Sequence, residues 1–231
     1  MTEREVVFLL DVDNTLLDGD RVVVDFHNYL TQQLGSTCAR RYWSIFDRLR
    51  KALGYVDYLG ALQHYRLELE HADANEQPLM MAAAFLIDYP FADRLYARAL
   101  ETLIHLDQYG ATVILSDGDI VLQPRKIQRS GLWQAVQGRA LIYVHKEKML
   151  PAVQRHYPAR HYVMVDDKLG VLAAMKSIWR ERLTTVFIRQ GHYALNAKII
   201  AGQPAADVTI ECIGDLVTLD RSHLVPLARH R

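Results

Sequence analysis

Cysteine is scarce in this chain, with Cys38 and Cys212 the two among 231 residues. Isolated in this way they fit no zinc or redox spacing, so thiolate metal chemistry and a disulfide framework are set aside and both are expected to be reduced thiols. Net charge is absent too, because Lys plus Arg and Asp plus Glu each total 27. No global field then draws nucleic acid or an anionic membrane, and a charged partner must be met locally. Long apolar runs are also missing; all fall well short of the roughly 20 residues needed to span a bilayer. Glu3, Arg4 and Glu5 lead straight into a strand-like run with no apolar leader, so an export signal is not expected and a cytoplasmic location is.

Half of the residues are hydrophobic, enough for a sizeable core. Short, continuous apolar runs occur at Val6 to Leu10, Thr112 to Leu115, Ala140 to Val144, Tyr162 to Val165, Thr185 to Ile188 and Val208 to Ile210. Runs of this kind suit strands buried on both faces of a parallel sheet. Helix-length segments lie between the later ones, at Ile120 to Arg129, Lys148 to His156, Gly170 to Arg180 and Asn196 to Ala201, as parallel crossovers require. From about Asp20 to Gly110 the pattern changes to helical spacing, as in Phe26, Leu30 and Leu34 or Ile45, Leu49 and Leu53. Gly35, Gly54 with Gly60, and Asn75 to Pro78 divide this stretch, and Pro90 is expected to start the helix leading back to the second strand. The expected architecture is a doubly wound, mostly parallel α/β sheet with an α-helical insertion after the first strand: residues 1–19 and 91–231 form the core and 20–90 the insertion.

Three of the apolar runs stop on chemically active residues: Val6 to Leu10 on Asp11 and Asp13, Thr112 to Leu115 on Ser116, and Tyr162 to Val165 on Asp166 and Asp167. Ligands bind beyond the carboxyl ends of the strands in an open parallel sheet, so these residues are expected to share one site. Two carboxylates leaving a strand side by side repel, which favours a bound hard cation or a shared proton. A turn built by Asp13, Asn14 and Thr15 for its own backbone is the plainer alternative.

Asp11-Val12-Asp13-Asn14-Thr15 after a hydrophobic strand resembles the first motif of the haloacid dehalogenase-like (HAD) hydrolase superfamily. Ser116 looks like the second motif, Lys146 like the third, and Asp166 with Asp167 like the acidic fourth. The resemblance implies a Rossmann-like core in which a cap closes over the strand ends, hinged at Leu16 to Asp20. It implies that Asp11 attacks phosphorus to give an aspartyl phosphate, and that Asp13 is the general acid and base. Dehalogenases proper lack that second acid, so Asp13 points to a phosphatase or a phosphomutase. Ser116 and Lys146 would bind the phosphoryl oxygens with Asn14 and Asp117 beside them, and Mg2+ would be held by Asp11, the Asp13 carbonyl and a fourth-motif acid. Asp166 is preferred over Asp167 as direct ligand, because Gly170 and the small residues after it match the family's register. Lys146 is preferred narrowly over Lys148. Asp117 or Asp119 is expected to cap the next helix.

Other features have plainer readings. Arg40 to Lys51 mixes bases with aromatics, but Tyr42, Ile45, Phe46 and Leu49 form one apolar stripe, so an amphipathic helix is expected in place of a nucleic-acid surface. The histidines show no paired metal spacing and are expected at the surface or partly packed. The expected partner is a small phosphorylated molecule, with neither nucleic acid nor membrane involved. A non-catalytic module on the same scaffold is the alternative from another class.

Overall fold

The computed structural model describes residues 4–69 and 76–225. The Asn75 end of the expected break lies outside the described residues. Strands β1 (Arg4–Leu10), β2 (Ala111–Asp117), β3 (Ala140–Tyr143), β4 (Ala159–Asp166), β5 (Leu183–Ile188) and β6 (Val208–Ile210) form one sheet. Their order is β3-β2-β1-β4-β5-β6, and every neighbouring pair is parallel.

Alternate side chains of the central strands feed two separate cores. Val6, Phe8, Leu10, Ile114, Val163 and Val165 face one layer, and Val7, Leu9, Val113, Leu115, Tyr162 and Met164 the other. Burial on both faces explains why these strands read as unbroken apolar runs, with no polar side to alternate with. Helices α4 (Ala99–Asp107), α5 (Leu122–Arg129) and α6 (Leu132–Ala135) cover the first layer. Helices α7 (Leu150–His156) and α8 (Leu169–Trp179) cover the second.

Register brings the chemistry to one level. Leu10 lies beside Ile114 on one side and Val165 on the other, so Asp11, Ser116 and Asp166 leave three adjacent strands close together. The chain order reverses between β1 and β4, which makes this the switch point of the sheet.

The insertion holds α1 (Gly19–Leu53), α2 (Tyr58–Leu67) and α3 (Gln77–Asp88). Gly35 breaks α1 with a left-handed φ of 81°. Phe26 and Tyr42 would lie about 24 Å apart along a straight helix, yet their rings meet at 5.4 Å, so the two halves fold back on each other. Phe26 also touches Trp43, Tyr58 and Phe85, joining all three helices through one aromatic cluster. Tyr42, Ile45 and Phe46 are buried, as the amphipathic reading expects.

Three boundaries differ from expectation. Gly60 does not interrupt the insertion; it lies in the first turn of α2, where its N–H donates to the Asp57 carboxylate at 2.7 Å. The break is made instead by Gly54, left-handed at φ 78°. Pro90 begins only a 3-10 turn, Phe91–Arg94, and the returning helix starts at Ala99. A short helix α9 (Gly191–Leu195), not expected from the sequence, precedes α10 (Ala197–Ile200), which matches the helix expected at Asn196 to Ala201.

Phe26 is fully buried, and Phe26→Ala is expected to cost about 3–5 kcal/mol of stability, read by urea unfolding. His161 on β4 is 8% exposed, with its Nε2 2.9 Å from Thr184 Oγ1. Burial, aided by the Lys176 charge, holds its imidazole below the usual histidine value. The unfolded chain then takes up a proton that the folded chain refuses. Stability should therefore fall as pH drops below about 6.5, and His161→Gln should flatten that decline in unfolding curves recorded across the range.

Candidate active site

β1 ends at Leu10, and the Asp11 N–H continues the ladder by donating to Val165 O at 3.1 Å. That bond fixes the Asp11 backbone between two parallel strands. Its carboxylate is 4% exposed and accepts from Lys146 Nζ at 2.6 Å and Ser116 Oγ at 3.2 Å. The same ammonium lies 2.7 Å from Asp166 Oδ2 and donates to Leu115 O at 3.3 Å. Lys146 follows β3 in a 3-10 turn and is 1% exposed. Burial disfavours its charge, but Asp11 and Asp166 more than compensate, so its pKa lies above the ordinary lysine value. Lys148 points to solvent, so of the two lysines it is Lys146 that reaches Asp11.

Asp11, Asp166 and Asp167 each offer a carboxylate oxygen within 4.8 Å of the others. Burial raises the Asp11 carboxyl above its ordinary value, with Lys146 opposing and Asp166 adding to the effect. Asp167 has no hydrogen-bond partner for either oxygen, and burial with the neighbouring Asp166 and Asp11 pushes its pKa up to about 9. A buried carboxylate without a partner is costly, and three converging acids form the all-oxygen donor set of a hard divalent cation. The residues therefore fit magnesium. Asp166 is already engaged by Lys146 and by the Lys168 N–H at 2.8 Å, so Asp167 is the fourth-motif acid with both oxygens available.

Asp13 stands apart from this triad and is 34% exposed. Lys126 Nζ donates to its Oδ1 at 2.6 Å, and Gln123 Nε2 to its Oδ2 at 3.0 Å. Gln123 Nε2 also lies 3.0 Å from Ser116 Oγ, tying Asp13 to the second motif. Burial raises the Asp13 carboxyl, but Lys126 and Gln123 outweigh it and hold the group below its ordinary value. Neither Lys126 nor Gln123 was expected from the sequence. The signal was there: both sit beside Leu122 and Ile127 on the buried stripe of α5, where apolar residues belong.

Asn14, which is buried, and Asp117 are both engaged in structural contacts. Asn14, at a left-handed φ of 59°, donates to Asp20 Oδ1 at 3.1 Å and accepts from the Asp20 N–H at 3.2 Å. Asp20 also accepts from the His192 N–H at 2.7 Å and pairs with its ring. His192 thus joins the base of the insertion to α9. Asp117 accepts from the Lys146 N–H at 2.7 Å and so positions the lysine, while Asp119 caps α5 through the Val121 and Leu122 N–H groups. Gly54 sits against the His145 ring, where a Cβ would approach to 2.8 Å, so the insertion reaches the loop that carries Lys146.

The chain has relatives among known proteins. The family model described as haloacid dehalogenase-like hydrolase matches residues 6–178, and the chain belongs to that family of hydrolases. A Burkholderia xenovorans LB400 protein described as a haloacid dehalogenase-like hydrolase is 58% identical, with a TM-score of 0.89 over 95% of this chain and 98% of its own. L-2-haloacid dehalogenase from Xanthobacter autotrophicus is 18% identical, with a TM-score of 0.61 over 93% of this chain and 98% of its own. The HAD-hydrolase YfnB from Bacillus subtilis, bound to magnesium, is 17% identical, with a TM-score of 0.62 over 94% of this chain and 100% of its own. The last two share the fold. No curated protein matches this chain. No helix among the described residues is long and apolar enough to cross a membrane.

Removing the ammonium beside Asp13 should reverse the direction of its shift. In Lys126→Met the Asp13 carboxyl is expected to titrate at higher pH than in the native protein, followed by carbon NMR of the side-chain carboxyl.

Proposed function

We propose that this protein is a magnesium-dependent phosphomonoester hydrolase of the cytoplasm, acting through an aspartyl phosphate on a small phosphorylated metabolite. The observation that carries this reading is the pair of differently held carboxylates. Asp11 is buried against Lys146 and Ser116, while Asp13, two residues on, is partly open and held by Lys126 and Gln123. Displacing an alkoxide needs a proton donor beside the nucleophile; displacing a halide does not. The dehalogenase among the structural neighbours is therefore a guide to the fold, and Asp13 separates the chemistry.

In the first step an Asp11 carboxylate oxygen forms a bond to phosphorus as the ester P–O bond breaks, and protonated Asp13 gives its proton to the leaving oxygen. In the second, water attacks phosphorus, the bond to Asp11 breaks, and ionised Asp13 takes the proton from water. Lys126 and Gln123 hold Asp13 in the ionised form that the second step uses, so the first step requires this pair to loosen. Lys146 and Ser116 would bind phosphoryl oxygens, a role their contacts with Asp11 support. Magnesium, held by Asp11, Asp166 or Asp167 and the Asp13 carbonyl, would neutralise charge on those oxygens. Asn14 and Asp117 would stand beside the bound substrate in this reading.

Residues 20–90 act in this reading as a cap on a core of residues 1–19 and 91–231, with Leu16 to Asp20 as the hinge. Closure would exclude water while the aspartyl phosphate forms. The contacts of Gly54 with His145 and of Asp20 with His192 support a cap seated over the strand ends.

Phosphate release from an aryl phosphate should require magnesium. Asp11→Asn should abolish it, and Asp13→Asn should lower the rate roughly 10²–10⁴-fold. Halide release from 2-haloacids, with no phosphate released from any ester, would overturn the proposal.

A further inference from the structure

Three lysines surround the carboxylates, and only two have their hydrogen bonds in place. Lys146 and Lys126 each donate to a carboxylate at 2.6 Å. Lys168 is different: its backbone N–H donates to Asp166 Oδ1 at 2.8 Å, which anchors it beside the fourth motif, but its ammonium reaches no acceptor among the described residues. That ammonium instead lies over the ring of Tyr193, 4.8 Å from the centroid. Tyr193 belongs to α9, the helix that His192 and Asp20 tie to the base of the insertion. The cation is thus braced on an aromatic face with its N–H donors unspent.

Its setting indicates what those donors await. Lys168 directly follows Asp166 and Asp167 in the chain, and its N–H bond to Asp166 holds its backbone at the acid cluster. The acids themselves have other uses: Lys146 holds Asp11 and Asp166, and Asp167 suits a cation. The acceptor that suits these free donors is an anion brought to the site from outside the chain. A phosphoryl group in transfer carries charge on three equatorial oxygens. Ser116 and Lys146 do not exhaust these.

We propose that Lys168 is a further phosphoryl-binding residue of this site, donating from its ammonium to an oxygen of the group transferred to Asp11. The proposal rests on the phosphatase reading above. It assigns a substrate contact to a side chain outside the four motifs, and it makes the Lys168–Tyr193 pair part of the anion pocket. A lysine kept only to balance the acids would support folding without touching phosphate.

Binding of inorganic phosphate in the presence of magnesium, followed by phosphorus NMR, separates these roles. Lys168→Met should weaken phosphate binding roughly 10–100-fold, the worth of a hydrogen bond to a charged group. Lys168→Arg should restore much of it, and Lys148→Met, at an exposed position, should bind like the native protein. Tyr193→Leu, which removes the brace and keeps the charge, should give an intermediate loss and serves if Lys168→Met does not fold. Native-like phosphate affinity in folded Lys168→Met, or in Tyr193→Leu where Lys168→Met fails to fold, would overturn the assignment and leave the phosphatase reading standing. No phosphate binding by the native protein with magnesium present would overturn both.

Discussion

One ammonium group makes the convergence of strand ends tolerable. A parallel sheet brings Asp11 and Asp166 out of neighbouring strands at the same level, and buried like charges repel strongly unless a counter-charge lies between them. Lys146 supplies it from the end of β3, within 2.6 Å of one carboxylate and 2.7 Å of the other. Its removal would leave two buried carboxylates without their direct partner, a far larger penalty than the pair's net contribution to stability. The rest of the site is arranged around that contact. Asp117 fixes the Lys146 backbone, and Ser116 and Gln123 carry the hydrogen bonding outward to Asp13.

Even so, charge compensation is incomplete. Asp11, Asp13, Asp166 and Asp167 face Lys126, Lys146 and Lys168, and Asp167 keeps both oxygens without a partner. Asp167 is thus the least compensated acid of the cluster, and Lys168, braced on Tyr193, is the least engaged of its lysines.

The strands and the principal acids were legible because the same physics produces both the sequence pattern and the structure. Strands covered on two faces must be apolar throughout, so Val6 to Leu10 and Tyr162 to Val165 announce themselves, and the first polar residue after each marks the site. The supporting residues leave weaker traces. Gln123 and Lys126 follow Ser116 on a helix whose buried stripe should be apolar, a discrepancy visible in the sequence but without meaning until the position of Asp13 is known. The helix that carries His192 and Tyr193 is five residues long, too short for periodicity to show. Gly60 reads as a breaker by composition and is accommodated because Asp57 caps its N–H, a contact that depends on geometry three residues away.

The spacing of the ion pairs along the chain also bears on how the molecule assembles. Lys146 reaches Asp11 across 135 residues, Lys126 reaches Asp13 across 113, and Ser116 reaches Asp11 across 105. None of these contacts can form within a local hairpin or helix, and each requires a long loop to close. Asp11 and Asp166 meet only where β1 lies beside β4, so the acid cluster exists only once strands far apart in the sequence have paired.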